Sequence, residues 1–151
     1  MIISRAISDD AEEILALQRM AFRSQAEIYG DFSIPPLTQT LEQLKGEFAH
    51  KVFLKAAVEE QLVGSVRGVQ TGQACLVERL IVHPDYRGRG IGTALMRQIE
   101  QAFPEARRLE LFTGHLSENN LRLYARLGYS EFGRQQVADN LILVFMQKYI
   151  E

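Results

Sequence analysis

Val77-Glu78-Arg79-Leu80-Ile81-Val82-His83-Pro84 runs into Arg87-Gly88-Arg89-Gly90-Ile91-Gly92-Thr93-Ala94-Leu95-Met96, and this stretch decides how the chain is read. The apolar run predicts a strand that ends at Pro84, crosses a glycine-rich turn and enters a helix. Gly88, Gly90 and Gly92 leave no Cβ over the turn, so successive backbone N–H groups can converge on an anion. The helix adds its unpaired N-terminal donors and the positive end of its dipole. Arg87 and Arg89 bring fixed positive charge beside that cradle. A phosphate-bearing ligand is the expectation.

Two familiar phosphate loops do not fit. A Walker loop needs Gly-Lys-Ser/Thr after four intervening residues, and no such lysine is present. A dinucleotide fingerprint needs G-x-G-x-x-G, whereas Gly88, Gly90 and Gly92 are spaced by two. What Arg87-Gly88-Arg89-Gly90-Ile91-Gly92 does resemble is the acyl-CoA motif of the GNAT acetyltransferase superfamily, Arg/Gln-x-x-Gly-x-Gly/Ala. The resemblance implies acetyl-CoA as co-substrate, held by Arg87, Gly88, Arg89, Gly90, Ile91, Gly92 and Thr93. It also implies that Leu80, Ile81 and Val82 present backbone groups to pantetheine as if it were an added strand, polarising the thioester carbonyl. A tight strand-to-helix turn is the plain alternative for the glycines.

With 151 residues the chain is expected to form one domain, residues 1–151, with a proper hydrophobic core. A formal net charge of −2 gives no bulk field favouring nucleic acid or an anionic membrane, so neither is expected as a partner. Cys75 is the only cysteine, which rules out an intramolecular disulfide and suggests a reducing compartment. Set in an apolar run, Cys75 reads as a small core residue rather than a nucleophile. There is no apolar run of membrane-spanning length and no basic-then-apolar leader, so a cytoplasmic location is expected.

From the start, Ile2 to Ile7 predicts a strand, and Asp9 with Glu12 at capping-box spacing opens a helix carrying Ala11, Ile14, Leu15 and Phe22. Tyr29 to Leu37 reads as an aromatic, proline-rich loop, since Pro35-Pro36 cannot continue a helix. Thr40 and Gln43 open a second helix through Leu41, Leu44 and Phe48. Val52 to Val58, Leu62 to Val69 and Ala74 to Val82 predict three strands, with turns at Glu59-Glu60-Gln61 and Thr71-Gly72-Gln73. A helix from Gly90 to Phe103 precedes a strand over Leu109 to Thr113, which implies parallel pairing through a right-handed crossover. Ser117 caps a helix to Leu127 with Gly128 at its left-handed end, and two strands, Tyr129 to Val137 and Leu141 to Tyr149, finish the chain. The fold class is therefore α/β (α+β): a single GNAT-like domain with a mixed sheet of about seven strands and four flanking helices.

Ser117-Glu118-Asn119-Asn120-Leu121-Arg122-Leu123-Tyr124 to Gly128-Tyr129 is similar to a second GNAT motif, Asn…Leu-Tyr-x-x-x-Gly-Tyr/Phe. The resemblance makes Tyr124 the candidate general acid, since a departing CoA thiolate gains from a positioned donor and a phenol keeps its proton at neutral pH. An aromatic core plug is the alternative. The resemblance also implies a pantetheine contact from this segment, with Asn120, one turn before Tyr124, the first choice and Ser117 the second.

Direct attack also needs a proton acceptor, because an amine of pKa near 10 is mostly protonated at neutral pH. Glu78 is the candidate base, a carboxylate within an apolar strand that alternation places on one face with Leu80 and Val82. A salt bridge is the alternative, with Arg79 expected on the opposite face. His50, His83 and His115 have no metal-ligand spacing, and no metal is expected. The function expected is transfer of acetyl from acetyl-CoA to a primary amine of a small molecule or a protein. A non-catalytic acyl-CoA sensor on the same fold is the alternative, and a homodimer stays open.

Overall fold

Val52–Val58 (β2) folds back on Gln61–Thr71 (β3), and β3 on Ala74–Val82 (β4), so three consecutive apolar runs pair antiparallel. Ile2–Arg5 (β1) joins the outer edge of β2, and Arg108–Gly114 (β5) lies parallel to β4. Ser130–Ala138 (β6) and Leu141–Tyr149 (β7) complete a seven-stranded mixed sheet in the order β1-β2-β3-β4-β5-β7-β6. This computed structural model describes residues 1–150.

Five helices flank the sheet, one more than expected: Ala11–Tyr29 (α1), Pro35–Thr38 (α2), Leu41–Glu47 (α3), Ile91–Gln101 (α4) and Glu118–Arg126 (α5). The extra one is α2, inside the segment expected to be a loop. Pro35 and Pro36 stop nothing; they start a helical turn, where a missing N–H costs nothing and φ is already helical. What ends α1 is Gly30 at φ 65, its N–H bonded to the Ala26 carbonyl. The expected Asp9–Glu12 capping box does not form. Ser8–Asp10 is instead a 3₁₀ turn in which the Asp10 carboxylate accepts the Ile7 N–H at 2.9 Å. The Thr40–Gln43 box does form, with reciprocal bonds of 3.0 and 3.1 Å.

The two faces of the sheet carry different cores. On one face, Ile91, Leu95, Met96 and Ile99 of α4 and Tyr124 of α5 pack on Cys75, Val77, Leu109, Leu111, Val144 and Met146. Burying each of those four α4 side chains is worth about 1.5–3 kcal/mol. On the other face α1 packs through Ile14 and Leu15 against Leu44 of α3 and Phe53 of β2, and through Leu17 and Ala21 against Ile81.

β4 is not one uninterrupted strand. Arg67 pairs with Glu78 and Ser65 with Ile81, so β4 spends one residue more than β3 over this interval, with Arg79 at φ 54. That bulge resets the alternation. Before it, Cys75 and Val77 face the α4 core; after it, Leu80 and Val82 pack there, while Ile81 meets α1. Glu78 therefore shares the α1 face with Ile81, not the face of Leu80 and Val82 as strict alternation predicts.

Candidate active site

The bulge bends β4 away from β5. The two strands pair only over Ala74–Leu76 against Arg108–Glu110, and beyond Leu76 they part. The edge of β4 from Val77 to Val82 that faces β5 is thus free of strand pairing, while its other edge stays on β3. A cleft of about 430 Å³ opens there, walled by Leu80, Ile81 and Val82, by the turn after β4, and by α1 and α5.

The floor of the turn is built as the sequence suggests. Gly88 and Gly90 adopt φ 77 and φ 80, a conformation that strains any L side chain, and no atom lies within 4 Å of where a Cβ would stand. Gly92 is different: it lies in α4, where a Cβ would make only an ordinary 3.6 Å contact with Leu123. Gly90 is the N-cap of α4, so the first helical N–H groups point at the cleft mouth. Arg87 is exposed and reaches α1, donating to the Ala21 carbonyl at 3.4 Å and to Ser24 Oγ at 3.3 Å. Arg89 lies over the Tyr86 ring at 4.8 Å.

Of the expected contacts, Leu80, Ile81, Val82, Arg87, Gly88, Gly90, Ile91, Gly92 and Asn120 line the cleft, and Arg89, Thr93 and Ser117 do not. Ser117 takes the N-cap position of α5 but does not cap it with its side chain. It is 5% exposed, its hydroxyl donating to Gln25 Oε1 at 2.5 Å and bonded to Tyr29 Oη at 2.8 Å. Tyr29 Oη in turn accepts the Leu116 N–H at 2.9 Å, locking α1 to the β5–α5 turn. Gly114 makes that possible, since a Cβ there would sit 2.0 Å from Tyr29 Oη.

The lining also includes Ala21, Phe22 and Gln25 of α1 and Asn119, Leu123 and Arg126 of α5, none foreseen. A signal was present for α5, because Asn119, Leu123 and Arg126 are spaced as one helical face. None exists for α1, whose cleft-facing side depends on how it crosses the sheet.

Tyr124 is 6% exposed, packs on Tyr129 with ring centroids 6.0 Å apart, and is not part of the cleft wall. Burial pushes its phenol above the ordinary range, so the proton stays on oxygen at neutral pH. Glu78 also stands back from the wall, its carboxylate 2.8 Å from Lys51 Nζ. Lys51 holds Glu47 at 2.6 Å as well, and Glu47 holds Arg67 at 2.7 Å. Arg67 is 1% exposed, and its guanidinium also bonds Gln18 of α1. Burial lowers the Arg67 pKa to about 10, with Glu47 opposing that fall and Arg79 adding to it. Burial lowers the Arg79 pKa, with Glu47 and Glu78 opposing that fall, so Arg79 feels both carboxylates although expected on the face away from Glu78.

The cleft lies between parting parallel strands and is floored by a glycine turn and a helix N-terminus, an arrangement whose N–H donors suit an anion. The model of the acetyltransferase (GNAT) domain matches residues 31–150, and the chain belongs to that family. UPF0157 protein YqkA of Bacillus subtilis is 27% identical over 139 residues, 92% of this chain and 40% of that protein. The uncharacterized N-acetyltransferase MJ1207 of Methanocaldococcus jannaschii is 37% identical over 68 residues, 44% of this chain and 30% of that protein. The chain thus spans less than half the length of these relatives. The PaiA N-acetyltransferase of Thermoplasma acidophilum, solved in complex with coenzyme A, superposes with a TM-score of 0.80 at 17% identity, covering 99% of this chain and all of the other. At that identity the likeness concerns the fold. No helix of the described residues is long and apolar enough to cross a membrane.

Proposed function

We propose that this domain binds acetyl-CoA in the β4–β5 cleft and transfers the acetyl group to a primary amine by direct attack. The observation that carries the reading is the unpaired β4 edge from Val77 to Val82, opening beside the Gly88–Gly90 turn. Backbone N–H groups of that edge would hold pantetheine and polarise the thioester carbonyl. The α4 N-terminus, Arg87 and Arg126 suit the phosphates at the other end.

In the reaction the amine nitrogen forms a bond to the carbonyl carbon, the carbon–sulfur bond breaks, and the amine gives up a proton. Glu78 is the proposed acceptor of that proton, through water, because its carboxylate is held by Lys51 and stands back from the cleft wall. Tyr124 is the proposed donor to the departing thiolate, and the retained phenolic proton supports that role.

One observation favours a second reading. Both Glu78 and Tyr124 stand back from the wall, one ion-paired and the other packed in the core, as they would in a non-catalytic acyl-CoA sensor. Titration with CoA and CoA release over a panel of amines separate the two. Binding with amine-dependent release supports transfer, binding without release supports the sensor, and no binding overturns both.

A further inference from the structure

Ion pairs join Glu47, Lys51, Arg67 and Glu78 beside the β4 bulge, and the bulge residue itself, Arg79, adds a third cation next to Glu78. Glu47 is taken by Arg67 and Lys51, and Glu78 by Lys51. Three cations meet two carboxylates, and Arg79 makes no hydrogen bond or ion pair among the described residues. It is half-buried and held at φ 54, a left-handed conformation uncommon outside glycine, asparagine and aspartate. Bulges of this kind re-aim a side chain, and strained backbone concentrates where function uses it. A guanidinium cannot shed its proton at neutral pH, so leaving it partly desolvated with two carboxylates nearby but none hydrogen-bonded to it costs free energy that a paired anion would recover.

The surroundings say where such an anion comes from. Arg79 stands back from the cleft wall as Glu78, the proposed base and the residue before it, does, while Leu80, the residue after, lines the cleft. The phosphates of CoA have their own cations, Arg87 and Arg126, at the opposite end. The cluster is short by one negative charge, which matches a carboxylate and not the near-dianion of a phosphate monoester. We propose that Arg79 is a specificity residue that pairs with a carboxylate on the acceptor, so that the acceptor is an amine that also carries a carboxylate. This rests on the acetyl-transfer reading of the cleft.

The test compares amino acids and dipeptides with their C-terminal amides, and with phosphate-bearing amines, by CoA release from acetyl-CoA. Carboxylate-bearing amines are expected to be acetylated with kcat/KM roughly tenfold to a hundredfold above the matched amides, the range for a hydrogen bond to a charged group. Arg79→Asn, chosen because asparagine tolerates the left-handed backbone, should erase that preference by raising KM for the acids alone, and Arg79→Lys should restore part of it. Should Arg79→Asn not fold, the acid-to-amide ratio of the unaltered protein still decides the matter. Equal or better use of amides or phosphate-bearing amines overturns the inference and leaves acetyl transfer standing. No release with any of the amines, despite measurable CoA binding, overturns acetyl transfer and the inference with it.

Discussion

The Lys51 ammonium lies 2.8 Å from the Glu78 carboxylate, and the same Nζ reaches Glu47 at 2.6 Å, so one lysine ties the candidate base to the buried Arg67 network. If Glu78 accepts the amine proton, Glu78→Gln lowers kcat by roughly a hundredfold to ten-thousandfold and removes the low-pH limb of kcat/KM. A raised KM with kcat intact would instead mark Glu78 as a binder of the ammonium group. Steady-state kinetics across pH separate the two.

Tyr124→Phe keeps the ring that packs on Tyr129 and removes only the hydroxyl. Loss of a general acid predicts a fall in kcat of roughly a hundredfold or more with CoA affinity nearly unchanged. Unchanged turnover in the folded variant would reduce Tyr124 to a packing residue.

Arg126 is expected to contribute to CoA affinity although no motif singled it out. Arg126→Gln should weaken CoA binding roughly tenfold, measured by calorimetry, since a hydrogen bond to a charged group is lost. Gly90→Glu should do more, placing a carboxylate at the α4 N-terminus on backbone held at φ 80.

Glu47 sets an acid-side stability limit. Burial alone would raise its pKa, but Lys51, Arg67 and Gln39 outweigh that and hold the carboxyl below its ordinary 4.5. A depressed carboxylate contributes stability above its unfolded pKa and loses it as pH falls through the folded one. Thermal melts from pH 7 down should therefore drop below about pH 4.5. Glu47→Gln should be less stable at neutral pH, by about 3 kcal/mol as for a broken buried pair, with a shallower acid slope.

The two-residue β2–β3 hairpin loop is Glu59-Glu60, at φ 51 and φ 68. Such turns favour Asn-Gly, so Glu59→Asn with Glu60→Gly should stabilise by about 1 kcal/mol and raise Tm by roughly 2–4 °C, read by calorimetry. An unchanged Tm would mean the turn carries no strain.

Strand and helix order was legible in the sequence because apolar periodicity and turn residues act locally: Pro84, Gly88 and Gly90 define the strand, turn and helix from their own backbone limits. The glycine turn and the helix N-terminus at the cleft mouth came with them, since they lie in one continuous stretch. Only the tertiary structure decided the rest. The bulge at Arg79 arises from pairing with β3, which reverses the faces that alternation assigns and sets Glu78 beside Ile81. Lys51 meets Glu78, and Tyr29 meets Ser117 over Gly114, through contacts between segments far apart in the chain. Residue order sets local conformation, but which side chains share a cavity depends on how β4 and β5 part and how α1 crosses them.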